Sequence, residues 1–382
     1  MKIETNAAAL AEAAVDCAGR VGKRVDQPTL TGLHLKMAGG RLAVTGFDGG
    51  TAVQRAVEAS GEDGELLVSG PKFAELAKSL PSKPVQLTVE DGRLVVRCAS
   101  VLAKLPLMPM ADYPSVPTVD TTIGRVEIGA FRRLVLRVAA ASDLTGANGL
   151  AALMGIQLAF TGDTITATAS DRYRFGLDTL ADASWQPKLD EDEERAERVM
   201  FVNAGVLSEF AKSLAKSPAP WVDIEATKFV VRFSAGGRRV VSSLISGDFP
   251  GAFIRAQLPA RSEHPVRVST TELVEALKRC ERGLEAKDVQ KVQLSFIGDD
   301  LVVSSASGLT SNEVSSGLGI EYHGSPFAIY AKPGFVADAL VAADSAHALI
   351  HLPEKPTQPF LVTVEGDEHW SHLIMPLRVS AA

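Results

Sequence analysis

The sequence is poor in the residues that most chemistry needs. Seven histidines and three cysteines are spread over 382 positions. Cys17, Cys98 and Cys280 are odd in number and lie far apart. That spacing argues against a disulfide framework and fits a reducing cytoplasm. They read as small apolar core residues. There is no Walker-type phosphate loop, no G-x-G-x-x-G, no H-E-x-x-H and no C-x-x-C. His347 and His351 are four apart, but the Ala-Leu-Ile between them alternates like a strand. On a strand they lie too far apart for an easily shared metal. No catalytic residue, metal or cofactor is therefore expected. No run approaches the ~18 apolar residues of a membrane span. The start, MKIETNAAAL, has neither the basic opening nor the apolar stretch of a signal peptide. The expected location is cytoplasmic. A net charge of −7 speaks against a uniformly basic nucleic-acid binder.

What the chain does contain is repetition. Residues 71–80 read PKFAELAKSL and residues 205–214 read GVLSEFAKSL, 134 positions later. Phe73, Leu76, Ala77 and Leu80 share one face at helical spacing, as do Leu207, Phe210, Ala211 and Leu214. The match extends outward. Segment 64–98 and segment 198–233 both read strand, helix, strand, turn, strand, and 325–352 followed by 360–366 does so more loosely. Upstream of each lies another helical stretch, at 8–21, 129–142 and 270–283. Ser269 with Glu272 fits a capping box for the last of these. Asp112-Tyr113-Pro114 and Asp248-Phe249-Pro250 are 136 apart. Asp48 and Asp171 recur at matching turns, which suggests a structural role. They are 123 apart, about 11 fewer than the helix pair, and the surplus falls in the acidic stretch 181–198, read as a loop.

The chain is thus three copies of one α+β unit, expected at 1–121, 122–260 and 261–382. Alternating strands such as 85–89 and 94–97 imply a sheet with one buried face, which the helices must cover. Each unit also has unpaired edge strands, a liability unless something pairs with them. Units in a row can pair edge to edge. The outer edges of the first and third stay open to a second chain, which would close a ring.

The tripled architecture, the Asp-Tyr-Pro and Asp-Phe-Pro turns, the TASDRYRF stretch and the C-terminal LIMPLR resemble the beta subunits of bacterial DNA polymerase III, the DNA sliding clamps. The resemblance covers essentially the whole chain. It implies three tandem clamp domains and a head-to-tail homodimeric ring, with helices inside and sheets outside. Its partners would be double-stranded DNA, bound without regard to sequence, the DNA polymerase III alpha subunit, an ATP-dependent clamp loader, and other clamp-binding polymerases and repair factors. Such a protein is nucleoid-associated and not an enzyme.

Charge supports a duplex-lined hole. Six expected helices, at 5–20, 71–81, 129–141, 203–217, 270–282 and 332–343, carry 12 Lys and Arg against 8 Asp and Glu. The rest of the chain is net acidic, with 27 Lys and Arg against 38 Asp and Glu. The candidate DNA contacts are Lys72, Lys78, Arg132, Arg133, Arg137, Lys212, Lys216, Lys278, Arg279 and Arg282, with Lys23 and Arg24 from the resemblance. They would meet phosphates, so binding should be sequence-blind and salt-sensitive. One stretch departs from the family. Alanines at 151 and 152 stand where aromatic or glutamine residues often touch DNA, so contacts there are reduced.

The resemblance also implies a hydrophobic cleft between the second and third domains, into which partners insert a short peptide. By position it comprises Leu153, Ser170, Arg172, Tyr173, Arg174, Phe175, Pro250, Leu373, Met375, Pro376, Leu377 and Arg378. A soft methionine suits several peptides. Read without the family, Tyr173 and Phe175 are equally core residues, and Met375-Pro376-Leu377 equally a final strand. Two other functions stay open: a clamp paralogue, phage-encoded or inhibitor-resistant, with an altered cleft, and a tripled-domain enzyme.

Overall fold

A computed structural model describes residues 1–22, 27–146, 149–181, 184–187, 198–247, 249, 251–256, 258–282, 291–305 and 315–378. The first copy runs β1 (Lys2–Asn6), α1 (Ala7–Ala18), β2 (Gly32–Ala38), β3 (Arg41–Phe47), β4 (Thr51–Gly61), β5 (Gly64–Ser69), α2 (Gly70–Ser79), β6 (Pro84–Glu90), β7 (Arg93–Cys98) and β8 (Val101–Met108). The second runs β9 (Thr122–Glu127), α3 (Ile128–Ala139), β10 (Gly155–Thr161), β11 (Thr164–Ser170), β12 (Arg174–Leu180), β13 (Trp185–Pro187), β14 (Arg198–Asn203), α4 (Ala204–Ser213), β15 (Trp221–Ala226), β16 (Val230–Ala235) and β17 (Arg238–Ser243). A short helix, α5 (Gly251–Ala256), follows. The third runs β18 (Val266–Ser269), α6 (Thr270–Arg282), β19 (Val292–Ile297), β20 (Asp300–Ser305), β21 (Ser315–Gly319), β22 (Phe327–Ala331), α7 (Pro333–Ala342), β23 (His347–His351), β24 (Phe360–Val364) and β25 (Asp367–Ile374). Leaving out β13 and α5, each copy is strand, helix, four strands, helix, three strands.

Local chemistry explains the boundaries. The first helix begins at 7, two residues later than expected. Asn6 ends β1 and its side chain accepts hydrogen bonds from the N–H groups of Ala8 and Ala9, an N-cap. The α-helix of the second long repeat stops at 213 and tightens into a 3-10 turn over Leu214–Lys216. Ser269 accepts from the N–H of Glu272 at 3.5 Å, one of the two bonds of a capping box. Asp91 and Gly92 both adopt left-handed φ, +48° and +71°, as a two-residue hairpin turn between β6 and β7 demands.

The chain forms two compact units. In the one built mainly on 1–128 with 213–244, a sheet runs β1-β6-β7-β8-β5-β2-β3-β4-β17-β16-β15-β9. Here β4 of the first copy pairs with β17, the last strand of the second. A buried cluster of Leu30, Phe47, Ala52, Val119 and Val241 joins the two copies, with Tyr113 packed on it. In the other unit the order is β14-β10-β11-β12-β25-β24-β23-β18, beside a sheet β21-β20-β19-β22. There β12 of the second copy pairs with β25, the last strand of the third. Its core centres on Trp370, Phe296 and Phe360, all fully buried. Burying a side chain of that size stabilises by roughly 1.5–3 kcal/mol. All three cysteines are buried free thiols. His351 is buried, with Nδ1 accepting from the Ser262 N–H and Nε2 at 2.8 Å from Thr363 Oγ1, so its nitrogens serve the fold.

Candidate functional site

The Ser170–Arg174 turn builds the first part of the site. Asp171 is buried, and its Oδ1 accepts from the N–H groups of Tyr173 and Arg174, both at 3.0 Å. Its Oδ2 accepts from Arg174 Nε at 2.8 Å. Ser170 Oγ donates to the Arg174 carbonyl at 2.7 Å. Arg172 takes φ +80°, which costs about 1–2 kcal/mol for a non-glycine residue. The turn spends that energy and presents Tyr173, 52% exposed. Asp48 makes the same turn, accepting from Gly50 and Thr51 N–H at 2.9 and 2.7 Å. The recurring aspartates are thus turn-formers.

Beyond the turn lies α7. Arg174 Nη1 donates to Asp338 Oδ2 at 2.6 Å. Its guanidinium lies 4.4 Å from the centre of the Phe335 ring, and Lys332 Nζ lies 4.8 Å from it. Tyr173 stacks on the same ring at 6.3 Å. The C-terminal strand runs alongside: Phe175 faces Leu373, Met375 N–H donates to the Tyr173 carbonyl, and Leu377 N–H to that of Tyr330. Met375 is 40% exposed, Pro376 and Leu377 are half-buried, and Arg172 and Arg378 are exposed.

The remaining expected cleft residues sit deeper. Leu153, Ser170, Phe175 and Leu373 are buried. Phe175 and Leu373 pack with Phe201, Phe249 and Leu361, and Ile254 of α5 lies against them. Leu153, Ser170, Phe175 and Leu373 are thus closed off from solvent, whereas Tyr173 and Met375 are open to it. Pro250 lies outside the described residues. Sequence reading missed Phe335 and Lys332. An aromatic in the first turn of a helix looks like any core residue, and only the fold brings it to Tyr173.

Most expected DNA contacts stand on helix faces turned to water. Lys72 and Lys78 are exposed on α2, opposite buried Phe73 and Ala77. Lys212, Lys216, Lys278, Arg279 and Arg282 are exposed as well, as is Arg133. Arg132 is half-buried, its Nε donating to the Ala211 carbonyl at 3.0 Å. Lys23 and Arg24 lie outside the described residues. Arg137 is a correction. It is 7% exposed, donates to Asp367 Oδ2 at 2.7 Å and to the Ala343 carbonyl, and stacks on Trp370. A guanidinium so enclosed holds protein together and reaches no phosphate. Its second carboxylate, Asp178, is pushed up to about 6 by burial despite Arg137. Burial also acts to raise the Asp367 carboxyl, but the hydrogen bonds from Arg137 and from the N–H groups of Trp370 and His369 outweigh it and hold that group low. A cavity of about 930 Å³ runs among α3, α4 and α7, with Arg132, Arg133 and Lys212 in one wall and Tyr173 and Phe335 in another.

Comparison with known proteins agrees with this architecture. The DNA polymerase III beta subunit N-terminal domain matches residues 1–117, its central domain 125–251, and its C-terminal domain 255–378. A beta sliding clamp of Streptomyces coelicolor is 30% identical over 390 residues, covering 100% of both chains. The beta sliding clamp homolog GriR of Streptomyces muensis is 29% identical, covering 99% of both. Among solved structures, a sliding clamp from Pseudomonas aeruginosa bound to griselimycin superposes with a TM-score of 0.87 at 22% identity, over 99% of this chain and 100% of that one. The clamp of Bacillus subtilis does so with a TM-score of 0.86 at 21% identity, over 100% of both. The chain belongs to the family of DNA polymerase III beta subunits, the sliding clamps, which are processivity factors and not catalysts.

Proposed function

We propose that two copies of this chain close head to tail around duplex DNA and tether replication enzymes to it. The observation that carries the reading is a strand pairing used twice. The fourth strand of one copy pairs with the last strand of the next, first as β4 with β17 and again as β12 with β25. The leftover counterparts are β21 of the third copy and β8 of the first. Among the described residues β21 pairs only with β20. Residues 101–106 of β8 pair only with β7, and Leu102 is 60% exposed. A second chain that repeats the same pairing covers both of these edges.

The exposed cations on the helices would touch phosphates weakly and exchangeably, as sliding demands. The cleft would take a short peptide with a glutamine and bulky apolar residues. Tyr173, Phe335 and Met375 would supply the anchoring contacts, with Arg174 and the C-terminal Pro376-Leu377-Arg378 around them. The partners are the DNA polymerase III alpha subunit, other clamp-binding polymerases and repair factors, and an ATP-dependent loader. The site of action is the nucleoid. Tethering acts by raising the local concentration of the enzyme. The test is retention: loaded protein stays on nicked circular DNA and is lost when the circle is cut. Equal loss from both forms refutes a topological link. In parallel, binding of a labelled polymerase peptide should disappear in a Met375→Ala, Leu377→Ala double variant that still dimerises.

A further inference from the structure

The two junctions inside the chain carry the same ion cluster with the charges exchanged. In the first, Asp16, the tenth residue of α1, accepts from Arg238 Nη2 at 2.7 Å and lies 3.9 Å from Arg55 Nε. Arg238 opens β17 and Arg55 lies on β4, opposite each other. In the second, Arg137, the tenth residue of α3, meets Asp367 at 2.7 Å and Asp178 at 3.6 Å. Asp367 opens β25, and Asp178 lies on β12, seven residues after the turn aspartate, as Arg55 does. Each cluster therefore uses a residue from the first helix, one from the fourth strand, and the first residue of the neighbour's last strand.

The third copy has the first two places. The tenth residue of α6 is Arg279. Cys17 and Cys280 fix the alignment: each follows the helix residue and donates its thiol to a strand carbonyl, of Val44 and of Val303. Opposite Val44 stands Arg55, and opposite Val303 stands Ser316. Arg279 Nη2 in fact donates to Ser316 Oγ at 2.9 Å, on the open strand β21. The place of Asp178 thus holds a hydroxyl. The third place belongs to the first residue of β8 in a second copy, and that residue is Val101. Among the described residues no strand carboxylate of this chain meets Arg279, and β8 carries none to offer from a second copy. Among the described residues its one carboxylate contact is Glu275 of its own helix, at 3.7 Å and largely exposed.

We infer that the junction between two copies of this chain is the internal junction with its ion latch omitted, and that Arg279 and Val101 set how readily it opens. This rests on the ring proposed above. A buried charge placed against its partner adds coupling that an exposed pair does not. Omitting it at the two seams between chains, one of which must part for DNA entry, leaves strand pairing and apolar contact to hold the ring.

The experiment is subunit exchange between two fluorophore-labelled pools of the full-length protein, with sedimentation for the dimer constant. Val101→Asp supplies the missing carboxylate from the partner. It should slow exchange about tenfold, the size of a modest buried pair, and the slowing should vanish when Arg279→Gln is added. Ser316→Asp, which supplies the carboxylate within the chain, should reduce the effect of Val101→Asp by sharing Arg279. If Val101→Asp speeds exchange or leaves it unchanged, or slows it equally with Gln at 279, the latch inference is wrong while the ring stands. If the wild-type protein is monomeric throughout, the ring reading itself fails.

Discussion

Arg137 on α3 holds Asp367, at the start of β25, across a gap of 230 residues in sequence, with Nη1 2.7 Å from Oδ2. The pair ties the second copy to the third. Replacing Arg137 with alanine leaves two carboxylates in a buried site, which typically costs 3–5 kcal/mol. Arg137→Ala should therefore lower the unfolding free energy by about 3 kcal/mol, read as a lower urea midpoint at unchanged m. Once folded, it should keep its salt-dependent retention on DNA. Adding Asp178→Asn should recover part of the loss, since the two sites are coupled. A variant of unchanged stability that slips off DNA would restore Arg137 to the list of phosphate contacts.

The same cluster makes stability depend on pH. Burial pushes the Asp178 carboxyl up to about 6, against ~4 in an unfolded chain. A folded value above the unfolded one means the folded state binds the proton more tightly. That contribution is complete below about 4 and is lost as pH rises through about 6. Asp367 is held low, so its contribution is present above about 4 and is lost on acidification. Asp178→Asn removes the first effect and keeps the second. Its stability should no longer fall between pH 4 and 6, and at pH 7.5 it should exceed wild type by about 1–3 kcal/mol. Urea midpoints across pH 4–8 decide it; a parallel wild-type and variant profile refutes the assignment.

Phe335 is the sharpest test of the cleft. Two cations and a tyrosine converge on its half-buried ring. Phe335→Ala should weaken binding of a labelled polymerase peptide by about 2 kcal/mol, the size of an interface hot spot. Its melting temperature should stay close to wild type, because the ring is not part of the sealed core. Anisotropy titration and a thermal melt separate the two effects. Unchanged affinity would place the peptide away from α7.

Much of this was legible in the sequence because it is local. Helical spacing in AKSL and its copy, the turn aspartates and the alternating strands each depend on neighbours within a few residues. What was hidden depends on partners far away. Arg132, Arg133 and Arg137 look alike on one helix, and only β25 decides that the last is enclosed. Phe335 meets Tyr173 only after two strands and a helix have packed. The six residues of α5 make too short a pattern to stand out from a loop. The positive φ of Arg172 is imposed by Asp171 and Ser170 and leaves no glycine as a marker.

Lys72 and Lys78 probe the phosphate reading. Both are exposed on α2, away from the buried Phe73 face. Each phosphate contact on duplex DNA contributes about 0.9 to the slope of log K against log salt. If both lysines touch phosphates, the Lys72→Ala, Lys78→Ala double variant should lose up to about 1.8 of that slope. If the two lysines serve DNA alone, its dimerisation and its peptide affinity should not change. Sequence should not matter, because such contacts carry no base information. Equilibrium binding to nicked circles at several salt concentrations gives the slope directly. A slope equal to wild type would mean that these two cations solvate the helix and nothing more, and the DNA path would then have to run over α4 and α6 instead.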